Sequence, residues 1–410
     1  MRNDHRQQRL VVPDIARGLA LLGIAVANAI SYWLVPLSTT VTGNHPGTVA
    51  DQAATVFAAM FVHVRGLPMF STLLGFGFGL VTASLARKGY PKAAARRVLA
   101  RRYGFLALFG VAHMWLLFSG DIMLTYGLIG VLMALLVNVR SGALYIISGT
   151  ILGLSCLIYT LIAILFFGSP LDLMAPAPDT SSFAAYFADN QEFAFYMTLS
   201  QPLVVIQLGA LSLIGFVWAR DGVLTDVKKH ARTLWVWVGV TVAVVVAIGI
   251  PLGLAQLGIL PASTATFWSI LNQSFGLLTG PGILAAFALA TQHWNQQPPR
   301  WTMPIIALGK RSMSGYLLQT FVLLPTAVWA SSAWLPSLGE FRPMLLGAAV
   351  WLLSVALAAT LEHFDKQGPF EALHRHLSYG RTGRIEPYQD PAHRKAAPHE
   401  HAPNPGSTAF

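Results

Sequence analysis

Long apolar runs recur along this chain, each close to the ~20 residues a helix needs to cross a hydrocarbon core ~30 Å thick. Ten such runs lie near 15–36, 66–86, 103–119, 121–139, 143–167, 202–219, 233–257, 265–291, 304–330 and 343–361. Only helices or closed barrels satisfy their own backbone in lipid, and runs of this length are helical. The pattern predicts an all-α fold, a polytopic integral membrane bundle of about ten transmembrane helices. A further apolar piece, 53–64, is too short to cross and is expected to feed the second span as a partial helix. Pro281, Pro304 and Pro325 predict kinks in the last spans.

Composition supports the same solvent. Apolar residues make up 54% of the chain and charged ones 11%, against roughly a quarter in soluble domains. So little charge cannot cover a water-facing surface, which leaves the lipid bilayer as partner. The net charge of +10 raises the question of nucleic acid. The cations sit in short loops between apolar runs, however, with no basic helix carrying interleaved aromatics, so nucleic acid is not expected. The single cysteine, Cys156, excludes a disulfide framework and thiolate metal clusters, and no metal site is predicted.

Cytoplasmic loops of membrane proteins are enriched in Lys and Arg. The segment after the second span holds Arg87, Lys88, Lys92, Arg96, Arg97, Arg101 and Arg102, and later inner loops hold Arg140, Arg220, Lys228, Lys229, Arg232, Arg300, Lys310 and Arg311. With both termini cytoplasmic, only Arg65 and Arg342 fall outside. The segment 168–201 carries Asp172, Asp179, Asp189 and Glu192 without a cation and reads as external. The chain divides into a cytoplasmic segment at 1–14, the helical domain at 15–383, and a disordered cytoplasmic tail at 384–410 whose histidines, His393, His399 and His401, read as solvated. Ala25-Val26-Ala27 resembles a signal-peptidase site, but the apolar run continues to Leu37, which fits an uncleaved span.

Ionisable groups within spans are costly and mark function or specific pairing. His113 lies in the third span, toward its outer half, two turns before Ser119-Gly120-Asp121. A histidine in mid-membrane needs a partner for its ring N–H, and a carboxylate such as Asp121 would fix the tautomer and raise its basicity. Tyr126 is placed to complete that cluster. Asp121 also stands where a cap of the fourth span is expected, after a tight external turn at Gly120. In the first span Asp14, Arg17, Ala25 and Asn28 share one face; Arg17 reads equally as the local partner of Asp14 or as a ligand-binding cation, and Asn28 as a bond to a neighbouring helix or a site group. His63 and Arg65 precede the helix-breaking Gly66-Leu67-Pro68; Arg65 reads as an anion ligand or as a salt partner of Asp121 or Asp51. Gln319 is a hydrogen bonder between helices or a lumen group. Gly75, Gly77 and Gly79 follow no strand, so they read as close helix packing rather than a nucleotide loop.

Several segments together resemble a known family. Asp14-Ile-Ala-Arg-Gly-Leu-Ala-Leu-Leu-Gly-Ile, Met69-Phe-Ser-Thr-Leu-Leu-Gly-Phe-Gly-Phe, and His113 with Ser119-Gly-Asp-Ile-Met-Leu-Thr-Tyr126-Gly resemble motifs of the YeiB-like membrane proteins, domain of unknown function 418. Gly309-Lys-Arg-Ser-Met-Ser-Gly-Tyr316-Leu-Leu-Gln319-Thr and Gly368-Pro-Phe-Glu371-Ala-Leu-His-Arg375 are similar to its C-terminal blocks. Lys310 to Met313 and Gly315 depart from the commoner pattern. The resemblance covers about residues 10–383. It implies the membrane-bundle fold and, through a broader similarity to transmembrane acyltransferases, transfer of an acyl (expected acetyl) group from a coenzyme A thioester to an envelope glycan or lipid in a bacterial cytoplasmic membrane.

In that expectation His113 is the base or acyl acceptor, Asp121 its orienting carboxylate, and Arg17, Arg97, Arg101 and Arg102 attract the phosphates of acyl-coenzyme A. No tightly bound cofactor is expected. The alternative is a proton-coupled transporter or flippase using His113 and Asp121 as a relay, with broken spans lining the route. Against it, the chain shows no matching halves.

Overall fold

The computed structural model describes residues 11–34, 47–168, 178–295, 297–330 and 339–389. The expected tail histidines, the first ten residues and Asp172 lie outside them. All regular structure among the described residues is helical. In chain order the helices are α1 (Val11–Asn28), α2 (Val49–Phe61), α3 (Gly66–Arg87), α4 (Lys92–Leu116), α5 (Met123–Leu136), α6 (Ser141–Leu165), α7 (Phe183–Asp221), α8 (Ala231–Val244), α9 (Ile250–Gln256), α10 (Ala265–Phe275), α11 (Thr279–Thr291), α12 (Met303–Lys310), α13 (Ser312–Ala330), α14 (Phe341–His363) and α15 (Pro369–Tyr379). Eight helical stretches are long and apolar enough to cross a membrane. The two other expected spans, in the α4–α5 hairpin, fall outside that set, α4 because its first turns are basic and α5 because it is a shorter apolar helix of 14 residues. The chain is a multi-pass helical membrane protein.

The short apolar piece before the second span is α2, opened by a capping box in which Thr48 and Asp51 satisfy each other's backbone amides. It ends at Val62 and is followed by a break where Val64 takes φ 56°, a left-handed conformation that a β-branched residue adopts only under strain. Arg65 holds this break together. Its guanidinium donates to the carbonyls of Met60 (3.0 Å) and Val64 (3.2 Å) and to the side-chain oxygen of Asn272 (2.9 Å).

Small residues set the helix contacts, as expected where lipid offers no hydrophobic drive for association. A Cβ on Gly75 would collide with the Ser212 carbonyl, and one on Gly215 with the Thr72 carbonyl, so α3 and α7 pack backbone to backbone. The Ser212 hydroxyl donates across that contact to the Ser71 carbonyl at 2.9 Å. Gly79 packs on Ala219, whereas Gly77 faces the Arg17 guanidinium instead of a helix. In the α4–α5 hairpin, Gly110 lies against the backbone of Leu124 and Gly127 against that of Ala107.

Two boundaries differ from expectation. The helix of the span expected at 202–219 begins earlier: α7 runs unbroken for 39 residues from a Ser182 N-cap, which accepts from the Ala185 amide at 3.1 Å. Its polar first half (Asp189, Asn190, Gln191, Glu192) hid the helical period beneath low hydropathy. The tail expected to be free from residue 384 is held as far as Tyr388, whose amide donates to the Lys88 carbonyl at 2.9 Å. Lys88 in turn donates to the Ile385 carbonyl, and the Tyr388 ring meets Tyr90 edge-on.

Candidate functional site

The α4–α5 turn brings His113 and Asp121 together. His113 Nδ1 lies 3.0 Å from Asp121 Oδ1, and Asp121 Oδ2 accepts the amides of Met123 (2.7 Å) and Leu124 (3.3 Å). Asp121 is therefore both the cap of α5 and the partner of the histidine. An ionised carboxylate there takes the Nδ1–H, which leaves the Nε2 lone pair to accept the hydroxyl of Thr320, 3.1 Å away on α13. All three residues are buried. Sequence reading passed over Thr320, although Tyr316, Gln319, Thr320 and Leu323 form an i, i+3, i+4, i+7 stripe on one buried face of α13.

The turn at Gly120 is covered by protein. Phe118, Ser119 and Asp121 are buried beneath the overhanging start of α7. Tyr186 donates to the Leu117 carbonyl at 2.6 Å, and Asn190 accepts the Ser119 amide at 2.7 Å while donating to the Met114 carbonyl at 3.1 Å. Trp33, at the outer end of the first span, stacks on Tyr186 with centroids 5.5 Å apart, and Tyr32 bonds the Ser119 hydroxyl at 2.6 Å.

Beside this cluster a cavity of about 1130 Å³ extends to the basic end of the bundle, where Arg87, Lys88, Lys310 and Arg384 line it. Tyr126, Tyr316, Ile122 and Met123 line its deep end, and the apolar Leu21, Phe70, Leu74 and Leu106 line it as well. Arg17, Arg87, Lys88, Arg102, Lys310, Arg311, Arg375 and Arg384 line it too, eight cations against the two carboxylates of Asp14 and Glu371. Tyr316 joins cavity to cluster: its ring lies edge-on to His113, centroids 5.4 Å apart.

The two C-terminal blocks meet at the cavity wall. Glu371 accepts the amides of Met313 (2.7 Å) and Ser314 (3.0 Å), capping α13 from another helix. Arg311 pairs with Glu362 at 2.6 Å and Lys310 with the same carboxylate at 2.5 Å. His374, buried on α15, donates from Nε2 to the Arg102 carbonyl at 2.8 Å. Burial, and then the neighbouring Arg102 charge, lower its pKa to about 4, so it is neutral at cellular pH.

The predicted residues separate into groups. Arg17, Arg102 and Tyr126 line the cavity; His113 and Asp121 lie just beyond its deep end. Arg17 also pairs with Asp14 at 3.2 Å. Tyr126 does not bond His113: its hydroxyl donates to the Leu67 carbonyl at 3.1 Å and lies 3.3 Å from that of Ser71. Arg101 is spent on the Ser378 carbonyl at 2.5 Å, and Arg97 is exposed away from the cavity. Gln319 donates to the Leu21 carbonyl at 3.1 Å, Asn28 is half-buried off the cavity, and His63 lies 3.5 Å from the Ser31 hydroxyl. Arg65 pairs with neither Asp121 nor Asp51; backbone carbonyls and Asn272 saturate it, and Asp51 instead accepts the Phe341 amide at 3.1 Å. Among the described residues no cluster of His, Cys, Asp and Glu could hold a metal ion.

The family described as "Protein of unknown function (DUF418)" matches residues 218–381, which include both C-terminal blocks. The uncharacterized protein YxaH of Bacillus subtilis is 23% identical over 409 residues, covering 91% of this chain and 94% of its own length. An uncharacterized 39.9 kDa protein of Bacillus acidopullulyticus is 24% identical over 390 residues, covering 91% and 95%. The uncharacterized protein YeiB of Escherichia coli is 33% identical over 125 residues, 30% of each chain. No solved structure matches significantly. The likeness to YxaH takes in nearly the whole chain and the family match its C-terminal blocks, so this protein is similar to the YeiB-like, DUF418 membrane proteins.

Proposed function

We propose that this protein is a membrane acyltransferase of the bacterial cytoplasmic membrane that draws its acyl group from a coenzyme A thioester in the cytosol. One observation carries the reading: a cavity lined by cations at the basic end of the bundle is also lined by apolar side chains and by Tyr316, whose ring touches His113 of the His113–Asp121 pair. Cations at the mouth suit the phosphates of coenzyme A, and a water-poor depth strengthens any charge interaction placed there. His113, with Nδ1 tied to Asp121, offers Nε2 as a general base toward an acceptor hydroxyl or amine; the acceptor displaces the Thr320 hydroxyl to reach it. An envelope lipid or glycan precursor is the acceptor class that this reading implies.

The test uses purified full-length protein in lipid nanodiscs with labelled acetyl-coenzyme A and an envelope lipid extract. Label should pass to a lipid or glycan, and His113→Ala should lose at least about 100-fold, the usual contribution of a general base. Undiminished transfer by His113→Ala would reject the role assigned to it. One observation favours a second reading: the aromatic cover of Tyr32, Trp33, Phe118 and Tyr186 closes the outer side while the inner side is open, as in an inward-facing carrier. Protonophore-sensitive anion uptake into proteoliposomes, without acyl transfer, would establish that reading instead.

A further inference from the structure

Tyr316 is the one aromatic side chain that both lines the cavity and touches His113 while leaving its O–H unused. It is only 4% exposed, and its O–H finds no acceptor among the described residues; the Ile122 backbone amide beside it can only donate to the phenol oxygen. Its neighbour Tyr126 provides the contrast, since that hydroxyl is already engaged by Leu67 and Ser71. A buried hydroxyl left unpaired costs about 1–3 kcal/mol, so a stable position like this calls for a ligand group to complete it. The surroundings narrow that group. Leu21, Phe70, Leu74 and Leu106 line the cavity near it, the His113 ring meets it edge-on, and Asp121 is near. A phenol can give its proton to an acceptor oxygen.

We infer that Tyr316 is a catalytic residue that donates a hydrogen bond to the carbonyl oxygen of the bound thioester. The inference rests on the acyl-transfer reading and deepens it. In the reaction the acceptor heteroatom attacks the carbonyl carbon as His113 Nε2 takes its proton. The carbonyl oxygen gains negative charge and the Tyr316 bond to it shortens, with the proton remaining on the phenol. The carbon–sulfur bond then breaks, and the proton held by His113 passes to the departing thiolate, leaving acylated acceptor, free coenzyme A and neutral histidine. Tyr316 thus serves where acyl-transfer enzymes need a preorganised donor, at the oxygen on which charge develops.

Binding tests this without knowledge of the acceptor. Acetyl-coenzyme A and its S-ethyl thioether analogue share every group except the carbonyl oxygen. Wild-type protein should bind the thioester about three- to tenfold more tightly, the range of one net hydrogen bond. Tyr316→Phe should bind both with the affinity wild type shows for the thioether, and its kcat should fall more than its KM changes. The Phe variant keeps the ring against His113 and loses no bond that the O–H donates, so it should remain monodisperse. Equal binding of the two ligands by wild type overturns the inference even if that variant fails to fold, as does persistence of the preference in Tyr316→Phe; the acyltransferase reading survives both results. Failure of wild type to bind coenzyme A in any form overturns the acyltransferase reading, and the inference with it.

Discussion

The two oxygens of Asp121 do different work, and that division makes its variants informative. Oδ2 satisfies the first amides of α5, while Oδ1 orients His113. Asp121→Asn can keep its one carbonyl oxygen as acceptor for the α5 amides, but then turns its NH2, a donor, toward His113 Nδ1 and no longer holds the proton there. Thermal stability should change little, while acetyl transfer should fall by about 10–100-fold, the usual effect of losing the group that orients a functional histidine. Asp121→Ala removes both functions and should also cost about 1–3 kcal/mol, from the lost cap and an unpaired ring N–H. Comparing melting temperatures of the two variants with their transfer rates separates the roles. If Asp121→Asn transfers acetyl at the wild-type rate, the carboxylate is only a cap.

At the scale of elements, the α4–α5 hairpin depends on glycine. Gly110 and Gly127 let the two backbones touch, so Gly127→Val should wedge the helices apart, cost at least about 1–3 kcal/mol by overpacking, and reduce the yield of monodisperse protein. Wild-type yield from that variant would show the hairpin to be looser than its geometry requires. The docking of α15 on α4 should respond to pH through His374. Its folded pKa, about 4, lies below the ordinary 6.5, so the neutral form's contribution is fully present above pH 6.5 and is lost as pH falls toward 4, a change of up to about 3 kcal/mol. Hydrogen exchange across 369–379 should quicken over that window, and His374→Gln should flatten the dependence; a profile unchanged by the substitution would refute the assignment. Elements of this kind differ in how far the sequence discloses them. Apolar runs about the length of a bilayer were legible because period and solvent both speak through hydropathy. The pairing of His113 with Asp121 was legible because a buried imidazole demands a partner and the nearest carboxylate was eight residues away. The overhang of α7, the saturation of Arg65 by carbonyls and the meeting of Tyr316 with His113 were not. Each joins segments distant in sequence, and their side chains give the same one-dimensional signal whether they line a cavity or fill a core.

For the whole molecule, the direction of threading decides what the cavity can meet. Its mouth is formed by the ends of α1, α3 and α15 and the start of α13, all of which the distribution of Lys and Arg places inside. If that end faced the periplasm, a cytosolic thioester could not reach Tyr316, and the eight cations would attract an extracellular anion instead. The single cysteine makes the orientation measurable with little engineering. In a Cys156→Ala background, new cysteines at Lys92 and at Val49, both exposed, should react oppositely with a membrane-impermeant maleimide. On intact cells position 49 should label and position 92 should not; in inverted vesicles the order should reverse. The same vesicles allow a check of the electrostatics. Binding of coenzyme A added to their outer face, which is the cytoplasmic face, should weaken steeply between about 50 mM and 500 mM salt as screening shortens the reach of the rim cations. Labelling of position 92 on intact cells would reverse the threading, and the access route to His113 would then have to run from the opposite side of the membrane.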